Sequence, residues 1–149
     1  MATFTSTLTE SYTGDSDTGS INSTNTLSIS GINEITKYIV GVKNSVQTTL
    51  ATFAATTHAS AGAHKVGDVK YVRVTNMGSA NISLGIIGAT TCVNIILGAD
   101  ESYVIGLTDD TFLAEASTNP GHASHADITA IEAQSTSGVQ QVEIVIASA

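Results

Sequence analysis

The sequence predicts an all-β protein, an antiparallel β-sandwich or jelly-roll-like domain. Three observations carry that expectation. Apolar and polar residues alternate with a period of two in many short runs, as at Thr3–Tyr12 and Val69–Asn76. Turn residues recur every eight to twelve positions or so, a spacing typical of sandwiches and barrels. Apart from Val46–Ala54, where a short helix is an alternative to a strand, no stretch reads as a helix. The chain of 149 residues is one domain's worth of polymer, enough to bury a real core.

The elements follow in order. In Thr3–Tyr12, Phe4, Leu8 and Tyr12 fall on one face and Thr3, Thr5, Thr7 and Thr9 on the other, the pattern of a half-buried strand. Gly14–Gly19 is a turn cluster of Gly, Asp, Ser and Thr. Thr26–Ile32 and Ile35–Val42 read as strands, with Lys43–Ser45 as a turn before Val46–Ala54. Thr56–Gly67, rich in small residues, reads as a loop. Val69–Asn76, Asn81–Ile87, Cys92–Leu97 and Ser102–Leu107 then form an expected meander, with turns at Met77–Ala80, Gly88–Thr90 and Gly98–Glu101. Phe112–Ala116 reads as a short edge strand, and Ser117–Ala126, with the only proline, as a loop. Asp127–Ala133 and Val139–Ala147 read as a closing hairpin. Residues 1–20 are either an extended arm or the first strand, and residues 21–149 the sandwich.

Composition narrows the function classes. Only 12% of residues are charged while 42% are hydrophobic, the mean hydropathy is +0.20, and Ser and Thr make up about a quarter of the chain. Too few charges remain to cover the surface, so a body of this kind is expected to bury apolar area between copies. The net charge is −8 and Arg73 the single arginine, with Lys37, Lys43, Lys65 and Lys70 scattered. That pattern argues against direct nucleic-acid binding and against an anionic membrane surface. No apolar run approaches the ~20 residues of a spanning helix. The N-terminus lacks the basic and apolar regions of a secretory signal, and Cys92 has no partner for a disulfide. Folding in a host cytoplasm followed by exposure on a particle fits these features.

Motifs for chemistry are sparse. His122, His125 and Asp127 have the residue types of a zinc site, but short His spacings in a small-residue loop are weak signals, and a solvated loop is the expectation. His58 and His64 lie in a different loop. Asp15-x-Asp17-x-Gly19 resembles the opening of a calcium loop without its distal ligands, and reads as a turn. The nucleophile elbow and Gly-rich phosphate loops are absent, and Cys92 opens an apolar run, where a thiol behaves as a small hydrophobe. Neither a catalytic residue nor a cofactor is expected, and the chain is read as a non-enzyme.

Three segments carry a resemblance: VKYVRVTNMGSANISLGIIG (Val69–Gly88), VNIILGADESYVIGL (Val93–Leu107) and ADITAIEAQSTSGVQQVEIVIASA (Ala126–Ala149). Their order resembles small structural proteins of tailed bacteriophages, particularly those of marine bacteria and cyanobacteria. A strand ending in Thr-Asn, an apolar return, an ADES tip, an Asp-Ile-Thr segment and a valine-rich last strand make up the shared cadence. The resemblance implies a virion structural protein, foremost a capsid decoration (cement) protein. It would bind the major capsid protein on the outside of the assembled shell as a homotrimer. The alternatives are a tail, fibre or knob protein and, behind it, a carbohydrate- or host-surface-binding sandwich. The latter usually stacks sugars on exposed aromatics, which are only 5% of this chain, without tryptophan. Phe4, Leu8 and Tyr12 are the expected assembly residues, because their strand could pair with another chain by β-augmentation.

Overall fold

A computed structural model describes residues 2–14, 20–56, 62–89, 92–105 and 128–149. The chain divides into two compact units, Met1–Asn33 and Glu34–Ala149. The first is a two-stranded antiparallel ribbon of β1 (Ala2–Thr13) and β2 (Ser20–Ile32). The break therefore falls between Asn33 and Glu34, not near residue 20, because β2 pairs with β1 along its whole length. Strand β2 also begins earlier than its apolar alternation at Thr26 predicts. Ser20–Asn25 is polar apart from Ile21 and exposed on both faces, so only its pairing with β1 holds it extended.

The second unit is an antiparallel β-sandwich. Its strands are β3 (Glu34–Lys43), β4 (Thr48–Ala54), β5 (Ala63–Lys65), β6 (Val69–Asn76), β7 (Ile82–Gly88), β8 (Cys92–Leu97), β9 (Ser102–Ile105), β10 (Ile128–Ser135) and β11 (Val139–Ser148). One sheet has the order β3-β11-β6-β9 and the other β5-β4-β10-β7-β8. Leaving aside the short edge strand β5, which pairs parallel with β4, each sheet has four strands. The chain crosses between the sheets at every connection except those after β4 and β7. That interleaving is the jelly-roll arrangement, the expected class in its narrower form.

Period-two alternation builds the core. Val142, Ile144 and Ile146 of β11, Val72 and Val74 of β6, Ile82, Leu84 and Ile86 of β7, and Ile131 and Ala133 of β10 meet between the sheets. Val42 and Leu50 join them, and Tyr38, Val40, Ile95 and Tyr103 pack against the margin. Each fully buried aliphatic side chain contributes roughly 1.5–3 kcal/mol. Burial pushes the Tyr38 hydroxyl above its usual pKa, and that hydroxyl donates to the Leu50 carbonyl.

Three readings of the sequence are corrected. Val69–Leu107 is not a meander: β6 pairs with β11 and β9, whereas β7 pairs with β10 and β8. β10 and β11 do not form a closing hairpin, since they lie in opposite sheets. In both cases a short connection between alternating strands fits a hairpin and a sheet-crossing arch equally well, and periodicity cannot distinguish them. Finally, the expected loop at Thr56–Gly67 contains β5 and a 3₁₀ turn at Val66–Asp68. The expected edge strand at Phe112–Ala116 lies outside the described residues.

Four arches, at residues 43–47, 77–81, 98–101 and 136–138, meet at one end of the sandwich. Backbone bonds tie them: Asn44 N–H to the Gly138 carbonyl (2.8 Å), Thr136 N–H to Asn81 (3.0 Å), and Asn76 N–H to Glu101 (2.9 Å). Glu101, expected only as part of a turn, does more than close it. Its carboxylate accepts from the Gly98 N–H at 2.6 Å while its carbonyl holds Asn76. Gly78 is required here for space: a Cβ would stand 2.1 Å from Oε1 of the buried Gln140, which accepts the Ala80 N–H.

Candidate functional site

Phe4, Leu8 and Tyr12, the residues expected to serve assembly, all lie on the ribbon. Across β1 and β2, Phe4 stands opposite Ile29, Ser6 opposite Leu27, Leu8 opposite Asn25, and Tyr12 opposite Ile21. Directly opposed residues of an antiparallel pair share a face. Phe4, Leu8 and Tyr12 therefore join Ile21, Leu27 and Ile29 on one side of a ribbon about 40 Å long. Leu8 is 60% exposed, Tyr12 53%, Ile21 65% and Leu27 41%. The β2 members were legible as the alternation Leu27-x-Ile29, but Ile21 sits alone among polar residues and gives no signal of its own.

The opposite face has a different chemistry. Thr3 faces Ser30, Thr5 faces Ser28, Thr7 faces Thr26, Thr9 faces Thr24, Ser11 faces Asn22 and Thr13 faces Ser20. Every position there carries a hydroxyl or an amide, and cross-strand threonine pairs favour the extended ribbon. At its base Gly31, with φ +79°, is the extra residue of a β-bulge between the pairs Thr3–Ser30 and Ala2–Ile32. A two-stranded ribbon is at best marginally stable by itself. One face of hydroxyls and one on which Leu8, Tyr12, Ile21 and Leu27 stand exposed makes it a surface suited to burial against another chain.

On the outer face of the four-stranded sheet, Glu143 of β11 is buried to 8% exposure between two cations. Lys37 Nζ lies 2.8 Å from Oε2, and the Arg73 guanidinium donates to Oε1. The hydrogen bond from Lys37 is the largest influence holding the Glu143 carboxyl below its usual value of 4.5; burial opposes it, and Arg73 adds to the lowering. Lys65 pairs with Asp68 at 2.8 Å. Among the described residues, three of the five basic side chains are engaged by carboxylates.

Glu143 sets an acid limit to stability. Its folded pKa is depressed, so its contribution is fully present above the unfolded value of about 4.5 and is lost as pH falls through the folded one. Because Lys37 and Arg73 are both more than a third exposed, the triad contributes about 1 kcal/mol. Glu143→Gln is expected to destabilise by that amount at pH 7 and to flatten the stability profile below pH 4.5. Urea titrations from pH 3 to 7 check it (roughly the window in which a glutamate titrates).

The metal candidates His122, His125 and Asp127 lie outside the described residues, as do His58, Asp15 and Asp17. His64 is in β5, its ring centroid 6.1 Å from that of Phe53. Among the described residues no group of three His, Cys, Asp or Glu could hold a metal ion. Excess EDTA is expected to leave the melting temperature unchanged, since a bound metal would stabilise the folded state by mass action. A drop of several degrees, or roughly 1 kcal/mol and more, would establish a site. Cys92 is exposed, although it opens an apolar run and reads as a small hydrophobe. Leu97 is buried and Ile95 packs against the core, so alternation turns Cys92, Asn94 and Ile96 outward.

No helix among the described residues is long and apolar enough to cross a membrane. No protein-family model matches the chain, and no curated protein is similar to it.

Proposed function

We propose that this chain is a virion structural protein, a capsid decoration protein that binds the assembled phage shell and stabilises it as a homotrimer. The observation that carries the reading is the amphipathic ribbon of residues 2–32, a separate unit with Leu8, Tyr12, Ile21 and Leu27 exposed on one face. A jelly-roll body, an architecture that viral capsid proteins use, supports it. So do the low charge and the phage-like cadence of the second half. The proposed partners are the chain itself and the major capsid protein, with no direct contact to nucleic acid or membrane. The place of action is the outer capsid surface, after synthesis in the host cytoplasm.

The test uses shells assembled from the major capsid protein of the same genome. Purified protein is expected to run as a trimer by light scattering, to co-sediment with shells and to raise their melting temperature. A monomer that stays in the supernatant would refute the reading. Immunogold labelling of tails rather than heads would select the tail or fibre alternative.

A further inference from the structure

The outer face of the five-stranded sheet carries a trough, and we infer that it binds a single neutral sugar residue through amide, hydroxyl and carboxylate groups. The inference is independent of the assembly reading. Across β4, β10, β7 and β8 one outward row runs Thr49, Glu132, Gly85, Asn94, and the next row holds Gln134, Ser83 and Ile96. Gly85 leaves a gap in the first row between the Glu132 carboxylate and the Asn94 carboxamide. The result is a cavity of about 150 Å³ with a backbone floor, walled by Gln47, Ser83, Asn94, Glu132 and Gln134.

The glycine is not there for its backbone. Gly85 lies within the strand and has no positive φ. A Cβ would come 3.3 Å from Asn94 Oδ1 and 3.4 Å from Ile87 Cδ1, close but not barred. What a side chain would remove is the floor of the trough.

The wall chemistry selects the ligand. Gln47 donates to one Glu132 oxygen, which leaves the other to accept from a ligand. Among the described residues no Lys, Arg or His pairs with Glu132, so an anion is disfavoured. Cys92 Sγ lies 3.6 Å from Asn94 Oδ1 and donates to it, which leaves the carboxamide N–H groups for a ligand. Ser83 and Gln134 each offer both a donor and an acceptor. A cationic group would use only the acceptors of this set, whereas a hydroxyl, donor and acceptor at once, uses all of it. The volume is about half of the roughly 300 Å³ at which pockets for drug-sized ligands begin, so it suits one ring rather than a chain of them. Ile96, 60% exposed beside Ser83, offers the apolar contact for C–H groups of a ring. With no aromatic platform, affinity rests on hydroxyl geometry and is expected in the millimolar range.

The experiment titrates the ¹⁵N-labelled full-length protein with D-galactose, D-glucose and N-acetyl-D-glucosamine, and separately with n-butylammonium chloride. Saturable shifts from at least one sugar are expected at the amides of Ser83, Gly85, Asn94, Glu132 and Gln134. Asn94→Ala, a change at an exposed position, should weaken binding roughly tenfold, about the value of one good hydrogen bond. Gly85→Val, which fills the floor, should abolish it. Three results would overturn the inference: no saturable shift from any of the sugars, sugar shifts that persist unchanged in both variants, or a response to n-butylammonium alone. The last would make the trough a seat for a protein's basic side chain.

Discussion

Asn76→Ala is expected to lower the unfolding free energy by about 3 kcal/mol, one of the largest single-residue effects in the sandwich. Asn76 is fully buried at the end of β6. Its Nδ2 donates to the carbonyls of Ala80 (2.8 Å), Gly98 (2.8 Å) and, at a longer 3.2 Å, Leu97, while its Oδ1 accepts the Gly78 N–H at 3.0 Å. One side chain thus closes the β6–β7 arch on itself and ties it to the β8–β9 arch. Alanine leaves those groups without their partner at a largely part-buried junction, at about 1–3 kcal/mol for each that water does not reach. Asn76→Asp should be worse at neutral pH, because a carboxylate there faces carbonyl oxygens in place of the lost N–H donors. Urea denaturation of both variants checks the order. An alanine variant within about 0.5 kcal/mol of the parent would show that the arches hold without the clip.

That clip explains what could and could not be read from the sequence. Strands β6 and β8 begin and end where alternation puts them, because Val72, Val74, Ile95 and Leu97 must all point into one core. The pairing was not legible. Met77–Ala80 has the length and the glycine of a hairpin turn, and what converts it into an arch is Asn76 reaching Gly98, 22 residues away. Periodicity reports which face a residue takes, and says nothing about which sheet its strand joins.

The candidate surfaces divide along the same line. Phe4, Leu8 and Tyr12 could be assigned to one face because a strand's period is local. Ile21 could not, since its role depends on register with Tyr12 on the neighbouring strand. The trough was hidden more deeply: Glu132, Gly85 and Asn94 meet only through two successive strand pairings. The same local period places Cys92. It heads an apolar run, but Val93, Ile95 and Leu97 take the inward positions and leave the thiol outside.

Replacing Leu8, Tyr12, Ile21 and Leu27 together by threonine is expected to convert the proposed trimer into a monomer at micromolar concentration. Threonine keeps the extended backbone and matches the hydroxyl face opposite, so the ribbon should still pair. The apolar stripe disappears. Each of the four side chains is between two fifths and two thirds exposed, so covering it against a neighbour recovers about 1 kcal/mol, and the set about 4 kcal/mol per chain. That is roughly a thousandfold in association constant. Against the parent diluted below its association range, since subunit contacts alone raise an oligomer's melting temperature, the melting transition of the sandwich should not move: its core cluster draws on no residue before Val42, and Tyr38 and Val40 at its margin also lie beyond Asn33. Light scattering and differential scanning calorimetry on the same samples separate the two effects. A variant that remains oligomeric would move assembly to the sandwich, where Ile35, Ile39 and Val104 are also exposed on the outer face of the four-stranded sheet. A variant that is monomeric but melts lower would make the ribbon part of the fold rather than a device for joining copies.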